Sequence, residues 1–171
     1  NPHVREEMNR HGFQIHVCHL RPLSRGTIRL ASPDPARHPV IDPGYLRSEA
    51  DLEALLAGVV LTRRIGNAAA FRPFGSAELG PGEAIHSRDD LVAFIRASAE
   101  TIYHPVGTAR MGNDEQAVVD PRLRVRGVEG LRVVDASIMP VLVSGNTNAP
   151  TMMIADKAAD MILEDSARLA A

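Results

Sequence analysis

The chain has 171 residues, 44% of them hydrophobic, and a formal net charge of −2. That length suits one domain with a buried core, and a charge so close to neutral gives no bulk electrostatic pull toward nucleic acid or an anionic membrane. No apolar run approaches the roughly 20 residues of a membrane span, and Asn1-Pro2-His3-Val4-Arg5-Glu6-Glu7-Met8 has neither an apolar signal region nor an initiator methionine, so a soluble segment cut from something longer is expected. The single cysteine, Cys18, has no partner for an internal disulfide and lies in an apolar alternation, which favours a buried thiol in a reducing, cytoplasmic setting.

Phe13, Ile15 and Val17 alternate with Gln14, His16 and Cys18, and Thr27-Ile28-Arg29-Leu30 alternates again after the turn Ser24-Arg25-Gly26. Two antiparallel strands joined by a loop are expected there. Asp34-Pro35 and Arg37-His38-Pro39 break the chain, and Ile41-Asp42-Pro43-Gly44 makes a turn. Ser48 opens a helix to about residue 65, with Leu52, Leu55, Leu56, Val59 and Val60 as its apolar stripe. Gly75, Gly80, Pro81 and Gly82 mark a loop. Ser87, backed by Asp89 and Asp90, then caps a second helix with Leu91, Phe94, Ile95 and Ala99 on one face. Val118-Val119-Asp120-Pro121 and Leu123-Arg124-Val125 lead to an apolar strand over 131–134, and a helix over 151–163 follows. There is no internal repeat and no low-complexity segment.

Two short segments carry the chemistry. In Tyr103-His104-Pro105-Val106-Gly107-Thr108 a histidine stands beside a turn fixed by proline and glycine. In Ser144-Gly145-Asn146-Thr147-Asn148-Ala149-Pro150-Thr151 an Asn-rich loop leads into a helix start, whose free N–H groups suit electron-rich ligands. Imidazole titrates near neutral pH and in neutral form accepts a hydroxyl proton, so His104 is the candidate general acid/base; a hydrogen-bonded structural histidine is the plainer alternative. Asn148 offers an amide to an oxygen that gains charge, or serves as a helix cap, or both. Asp135, after Val133-Val134, is the type of residue that caps a following turn.

HPVGTARMG, VDPRLRVRGVEGLRVVDASIMP and SGNTNAPTMMIADKAADMI, in that order and spacing, resemble the C-terminal signature of the glucose-methanol-choline (GMC) flavoprotein oxidoreductases, in a choline-dehydrogenase-like form. The likeness is dense over 101–163 and looser at Leu20-Arg21-Pro22-Leu23-Ser24-Arg25-Gly26 and Ile41-Asp42-Pro43-Gly44-Tyr45-Leu46. It implies an α+β fold in which 1–100 supplies an antiparallel sheet with covering helices, a portion of the substrate-binding domain. It also implies that 101–171 forms an active-site and flavin-facing segment completing the FAD-binding domain. The implied activity is oxidation of a primary or secondary alcohol, with proton abstraction by His104, the alcohol oxygen held by Asn148, and hydride transfer to flavin N5. A neutral Asn148 in place of a second histidine fits the choline-dehydrogenase-like comparison. Asp135 and Ala136 would lie by the flavin's ribityl-diphosphate, Asn146 in the same loop as Asn148, and Ala149, Pro150 and Thr151 near the pyrimidine edge. Pro150 has no N–H, so Ala149 and Thr151 would supply any backbone donor.

The Gly-x-Gly-x-x-Gly element that seats an FAD diphosphate does not occur in the sequence, so the chain is expected to hold half an active site, to need a flavin-bearing N-terminal portion as partner, and to be inactive and free of FAD alone. Two other identities stay open: a separately encoded subunit that pairs with a flavin-bearing partner, and a binding or interaction module that no longer catalyses. His16 and His19 would point to opposite faces of a strand, so no metal site is expected. Gly107 to Gly112 lacks the Lys-Ser/Thr of a triphosphate loop, and Ser144 stands in no Gly-x-Ser-x-Gly elbow. Aromatic residues make up only 4% of the chain and tryptophan is absent, which leaves few side chains for a quaternary-ammonium cage.

Overall fold

The computed structural model describes residues 12–75 and 77–169; the amino-terminal stretch 1–8 discussed above lies outside the described residues. The described residues divide into two compact units, one within 1–19, 23–25 and 44–100, the other within 20–22, 26–43 and 101–171.

The first unit is built on helices α1, Glu49–Gly66, and α2, Arg88–Ser98. Leu52 and Val59 of α1 meet Leu91 and Ile95 of α2 in a buried cluster, with Leu46, Leu55, Leu56, Ile85, Val92 and Phe94 around it. The expected stripes are therefore the core, except that Val60 is half exposed and Ala99 lies just beyond α2. The Ser87 hydroxyl caps α2 by accepting from the Asp90 amide at 3.1 Å. Ser48 precedes α1 without a side-chain cap bond. The Ser48 N–H donates to Ser24 Oγ at 3.0 Å, and the Asp51 carboxylate accepts from the amides of Leu23 (2.8 Å) and Ser24 (2.7 Å).

Phe13 to Leu20 was expected as a strand, and the structure corrects this: residues 12–19 are irregular and join no ladder. They lie along α1, where Gly58 leaves room for Val17 and Gly66 lies beside Ile15. A Cβ on Gly58 would fall 2.2 Å from Val17 Cγ2, and one on Gly66 would fall 3.6 Å from Ile15 Cδ1. Phe13 stacks on Phe71 with ring centroids 4.9 Å apart. Side-chain packing against a helix has replaced the ladder that alternation alone suggests.

In the second unit, β1 (Thr27–Arg29) pairs antiparallel with β2 (Val40–Asp42), Ile28 facing Ile41. Its partner is thus the downstream segment read as a turn. Gly26 makes this possible, since a Cβ there would fall 2.1 Å from the Asp42 carbonyl oxygen. Over 101–147 the backbone is held by scattered bridges, Met111 with Val119, Val119 with Val125, and Arg124 with Arg132. The expected strand over 131–134 is reduced to one such bridge, flanked by hydrogen bonds from Val125 N–H to Leu131 C=O and from Val133 N–H to Leu123 C=O. The closing helix α3 spans Asn148–Leu169 and begins three residues earlier than expected, because Pro150 in its first turn needs no N–H partner and its ring presets φ. Val119, Leu123, Ile138 and Ala158 form the core, with Met111, Val125, Val133, Val134 and Ile154 packed on it.

Candidate active site

Three sequence segments meet in the second unit. The backbone after His104 runs beside the turn after Asp135, with Ala109 N–H donating to Ser137 C=O (3.0 Å) and Met111 N–H to Ile138 C=O (2.8 Å). Ile138, from that turn, shares its core with Ile154 and Ala158 of α3. Gly107 sits at φ +89°, and a side chain there would press on the Met139 carbonyl oxygen at 3.3 Å, so glycine is what lets the histidine segment approach the turn.

His104 is half buried, and its Nδ1 lies 2.9 Å from Thr147 Oγ1. Thr147 is itself buried and immediately precedes Asn148, so one hydrogen bond ties the histidine ring to the mouth of α3. With Nδ1 engaged, Nε2 is the nitrogen left for other chemistry. Thr147 was not singled out from the sequence; the signal for it is its position between Asn146 and Asn148, in a loop whose hydroxyl and amide groups sit at a helix start.

Asn148 is the exposed first residue of α3, and its Nδ2 donates weakly to Met152 Sδ, one turn on, at 3.7 Å. One of its two amide hydrogens is thereby directed along the helix and the other is left for a ligand. Ala149, exposed, and Pro150, half buried, complete the first turn. Thr151 N–H already donates to Thr147 C=O at 3.0 Å, so the expectation that it stays open is corrected and the amides of Asn148 and Ala149 remain as first-turn donors. Asn146 is exposed in the preceding loop. Asp135 caps the 3-10 turn Ala136–Ile138, accepting from Ser137 N–H at 2.8 Å. Its carboxylate is turned to Ser137, and the structure does not join it to His104.

Two non-glycine residues flank the site in the left-handed region, Tyr103 at φ +64° and Ser144 at φ +64°. Each costs on the order of 1–3 kcal/mol and persists only where its surroundings hold it. Tyr103 N–H donates to Thr101 Oγ1 at 2.9 Å. The Ser144 hydroxyl accepts from Arg21 Nε, which draws the first segment of the looser likeness to the Asn-rich loop. Further along, Arg110 and Asp114 form a two-bond pair, and the hydrogen bond from Arg110 holds the Asp114 carboxyl down at about 2.

These features fit part of a flavin site. Two unclaimed amides at the start of α3, with exposed small side chains beside them, are N–H donors of the kind a flavin edge would accept from, and the Asp135 carboxylate is hydrogen-bonded within its own turn. Among the described residues no group of three or more His, Cys, Asp or Glu gathers as a metal site, and no helix is long and apolar enough to cross a membrane.

Residues 22–155 match the C-terminal family model described as GMC oxidoreductase. The chain is 52% identical over 153 residues to the Pseudomonas putida "Alcohol dehydrogenase [acceptor]" and 51% identical over 162 residues to human mitochondrial choline dehydrogenase. These alignments cover 90% and 94% of this chain but only 28% and 27% of the relatives, so the chain spans little more than a quarter of their length. Among solved structures it resembles pyridoxine 4-oxidase from Mesorbium loti, with a TM-score of 0.78 and 38% identity over 82% of this chain and 28% of that one. An FAD-dependent oxidoreductase from Chaetomium thermophilum gives a TM-score of 0.81 and 32% identity over 86% of this chain and 26% of that one. With the histidine segment, the capped turn and the start of α3 assembled in the unit that most of this match covers, the chain belongs to the GMC oxidoreductases, as the corresponding C-terminal region.

Proposed function

We propose that this chain supplies the acid/base half of an FAD-dependent site that oxidises a primary or secondary alcohol. The single observation that carries the proposal is the hydrogen bond between His104 and Thr147, which fixes the imidazole at the start of the helix whose first residue is Asn148. In the productive tautomer Nδ1–H donates to Thr147 Oγ1, and the Nε2 lone pair takes the alcohol's hydroxyl proton. The Asn148 amide hydrogen not directed at Met152 donates to the same oxygen as negative charge grows there. Asn148 carries no charge, so His104 is the only base of the pair. FAD bound against Asn146, Asp135, Ala136 and the Ala149 to Thr151 backbone would supply the hydride acceptor. Residues 1–100 then serve as part of the substrate-binding domain and 101–171 as the active-site and flavin-facing segment.

The test uses a flavin-bearing protein that contains this sequence. Its flavin, mixed anaerobically with an accepted alcohol in a stopped-flow instrument, should be reduced faster as pH rises and the imidazolium loses its proton. Loss of a positioned base typically costs about 10²–10⁴ in rate, so His104→Ala should slow reduction on that scale while flavin content stays unchanged. Asn148→Ala, which removes one hydrogen bond, should cost less. A His104→Ala protein reduced at the unaltered rate with the same pH profile would leave the histidine a structural role only.

A further inference from the structure

We propose that Met152 is an oxidation site and that its sulfoxide restrains Asn148. The Met152 side chain is 65% exposed, whereas Met139, in the core, is 5% exposed. Exposure is what governs methionine's reaction with hydroperoxides. With hydrogen peroxide the thioether lone pair attacks one oxygen and the O–O bond breaks as the S–O bond forms. The proton on the transferred oxygen passes to the departing hydroxide, so that one water leaves; sulfur has lost two electrons and the peroxide has gained them.

What distinguishes Met152 from the equally open Met153, 60% exposed, is where its sulfur lies. Met152 is one helical turn beyond Asn148, on the same face, with Sδ 3.7 Å from Asn148 Nδ2. A thioether is a weak acceptor and lets that amide turn toward another partner. A sulfoxide is polar, and an oxygen added on the Asn148 side occupies the gap and accepts the same N–H more strongly. Oxidation thus converts a loose contact into a tether on the residue proposed to hold the alcohol oxygen. The effect on alcohol chemistry rests on the proposed function, whereas the oxidation and the tether do not, and the experiment below reads only the latter two.

The chain is treated with hydrogen peroxide, quenched with catalase and mapped by peptide mass spectrometry, while the Asn148 side-chain amide is followed by nitrogen-proton correlation spectra. Met152 should gain oxygen at least roughly tenfold faster than Met139. The Asn148 amide signals should move in step with it, and methionine sulfoxide reductase should return them. Met153→Leu should preserve the response and Met152→Leu, a change at an exposed position, should abolish it. The proposal is overturned if Met152 resists peroxide as Met139 does, if Asn148 is unmoved when Met152 is fully oxidised, or if the movement survives in Met152→Leu.

Discussion

A hydroxyl that the sequence pattern does not single out is the hydrogen-bond partner of His104. Thr147 is buried, close to Nδ1, and followed at once by Asn148, so its orientation of the ring is inherited from the start of α3. Such a hydrogen bond is worth about 1 kcal/mol net, roughly a fivefold bias between the two neutral tautomers. Thr147→Val keeps the shape and removes the hydroxyl. The expected outcome in the chain is a shift of His104 away from the Nδ1–H form, visible in long-range nitrogen-proton spectra of the imidazole, and in a flavin-bearing protein a fall in reduction rate of at most about that factor. A shift toward the Nδ1–H form would instead mean that the Thr147 hydroxyl donates to Nδ1, and an unchanged population that the hydroxyl does not select the tautomer. His104 and Asn148 were legible as candidates because histidine and asparagine stand beside proline and glycine in short segments. Thr147 was not, because a threonine before a helix is ordinary until its neighbour in space is known.

At the scale of elements, each unit is pinned by a polar side chain that reaches across sequence. In the first unit it is Asp51, 3% exposed, which ties Leu23 and Ser24 to α1, with His19 Nδ1 3.5 Å from its Oδ1. Burial pushes its carboxyl up, but the amides of Leu23 and Ser24, the Ser24 hydroxyl and His19 together outweigh burial and bring it below the ordinary aspartate value. A folded-state pKa below the unfolded one adds stability at pH values above the unfolded pKa, near 4, and that contribution disappears as pH falls through the folded value. Asp51→Asn leaves an amide N–H facing a backbone N–H. It should lower stability near neutral pH by about 1–3 kcal/mol in urea unfolding and flatten the dependence below about pH 4. Equal stability of the two proteins at neutral pH would show that the contacts to Leu23 and Ser24 contribute nothing. In the second unit the C-terminal half of α3 is gripped by Arg122, which donates to Met161 C=O at 3.1 Å, Glu164 at 3.1 Å and Asp165 at 2.8 Å, while Arg132 also reaches Asp165. The helix that carries Asn148 at one end is thus anchored at the other by two arginines from the bridged loops.

Across the molecule, the open apolar surface is extensive for the chain's size. Both strands of the hairpin show it, with Ile28 48% and Ile41 65% exposed, and a lone strand pair is marginal in water. The chain alone should purify colourless when FAD is supplied, since the glycine fingerprint that would take the diphosphate is not in its sequence and the donors it does offer are a few amides at one helix start. Stoichiometric flavin surviving gel filtration would show that these residues suffice. Local pattern determined a good deal without any structure: the two stripes Leu52, Leu55, Leu56, Val59 and Leu91, Phe94, Ile95 became the first core, Ser87 became a cap, Asp135 closed its own turn, and three ordered segments named the family. Each depends on residues within a turn or two of one another, or on a string of types that needs no coordinates. What the tertiary structure decided depends on partners far along the chain. Phe13, Ile15 and Val17 alternate as a strand does, yet Gly58 of α1 admits Val17 against the helix and Phe13 stacks on Phe71. Thr27–Arg29 pairs with the segment after it because Gly26 admits the Asp42 carbonyl. The strand expected over 131–134 dissolves into bridges, and Thr147, Met152 and Arg21 acquire roles only once His104, Asn148 and Ser144 are beside them. Propensity and periodicity describe a residue's own backbone, whereas register, close approach and a hydrogen bond across the fold belong to pairs that sequence alone does not join.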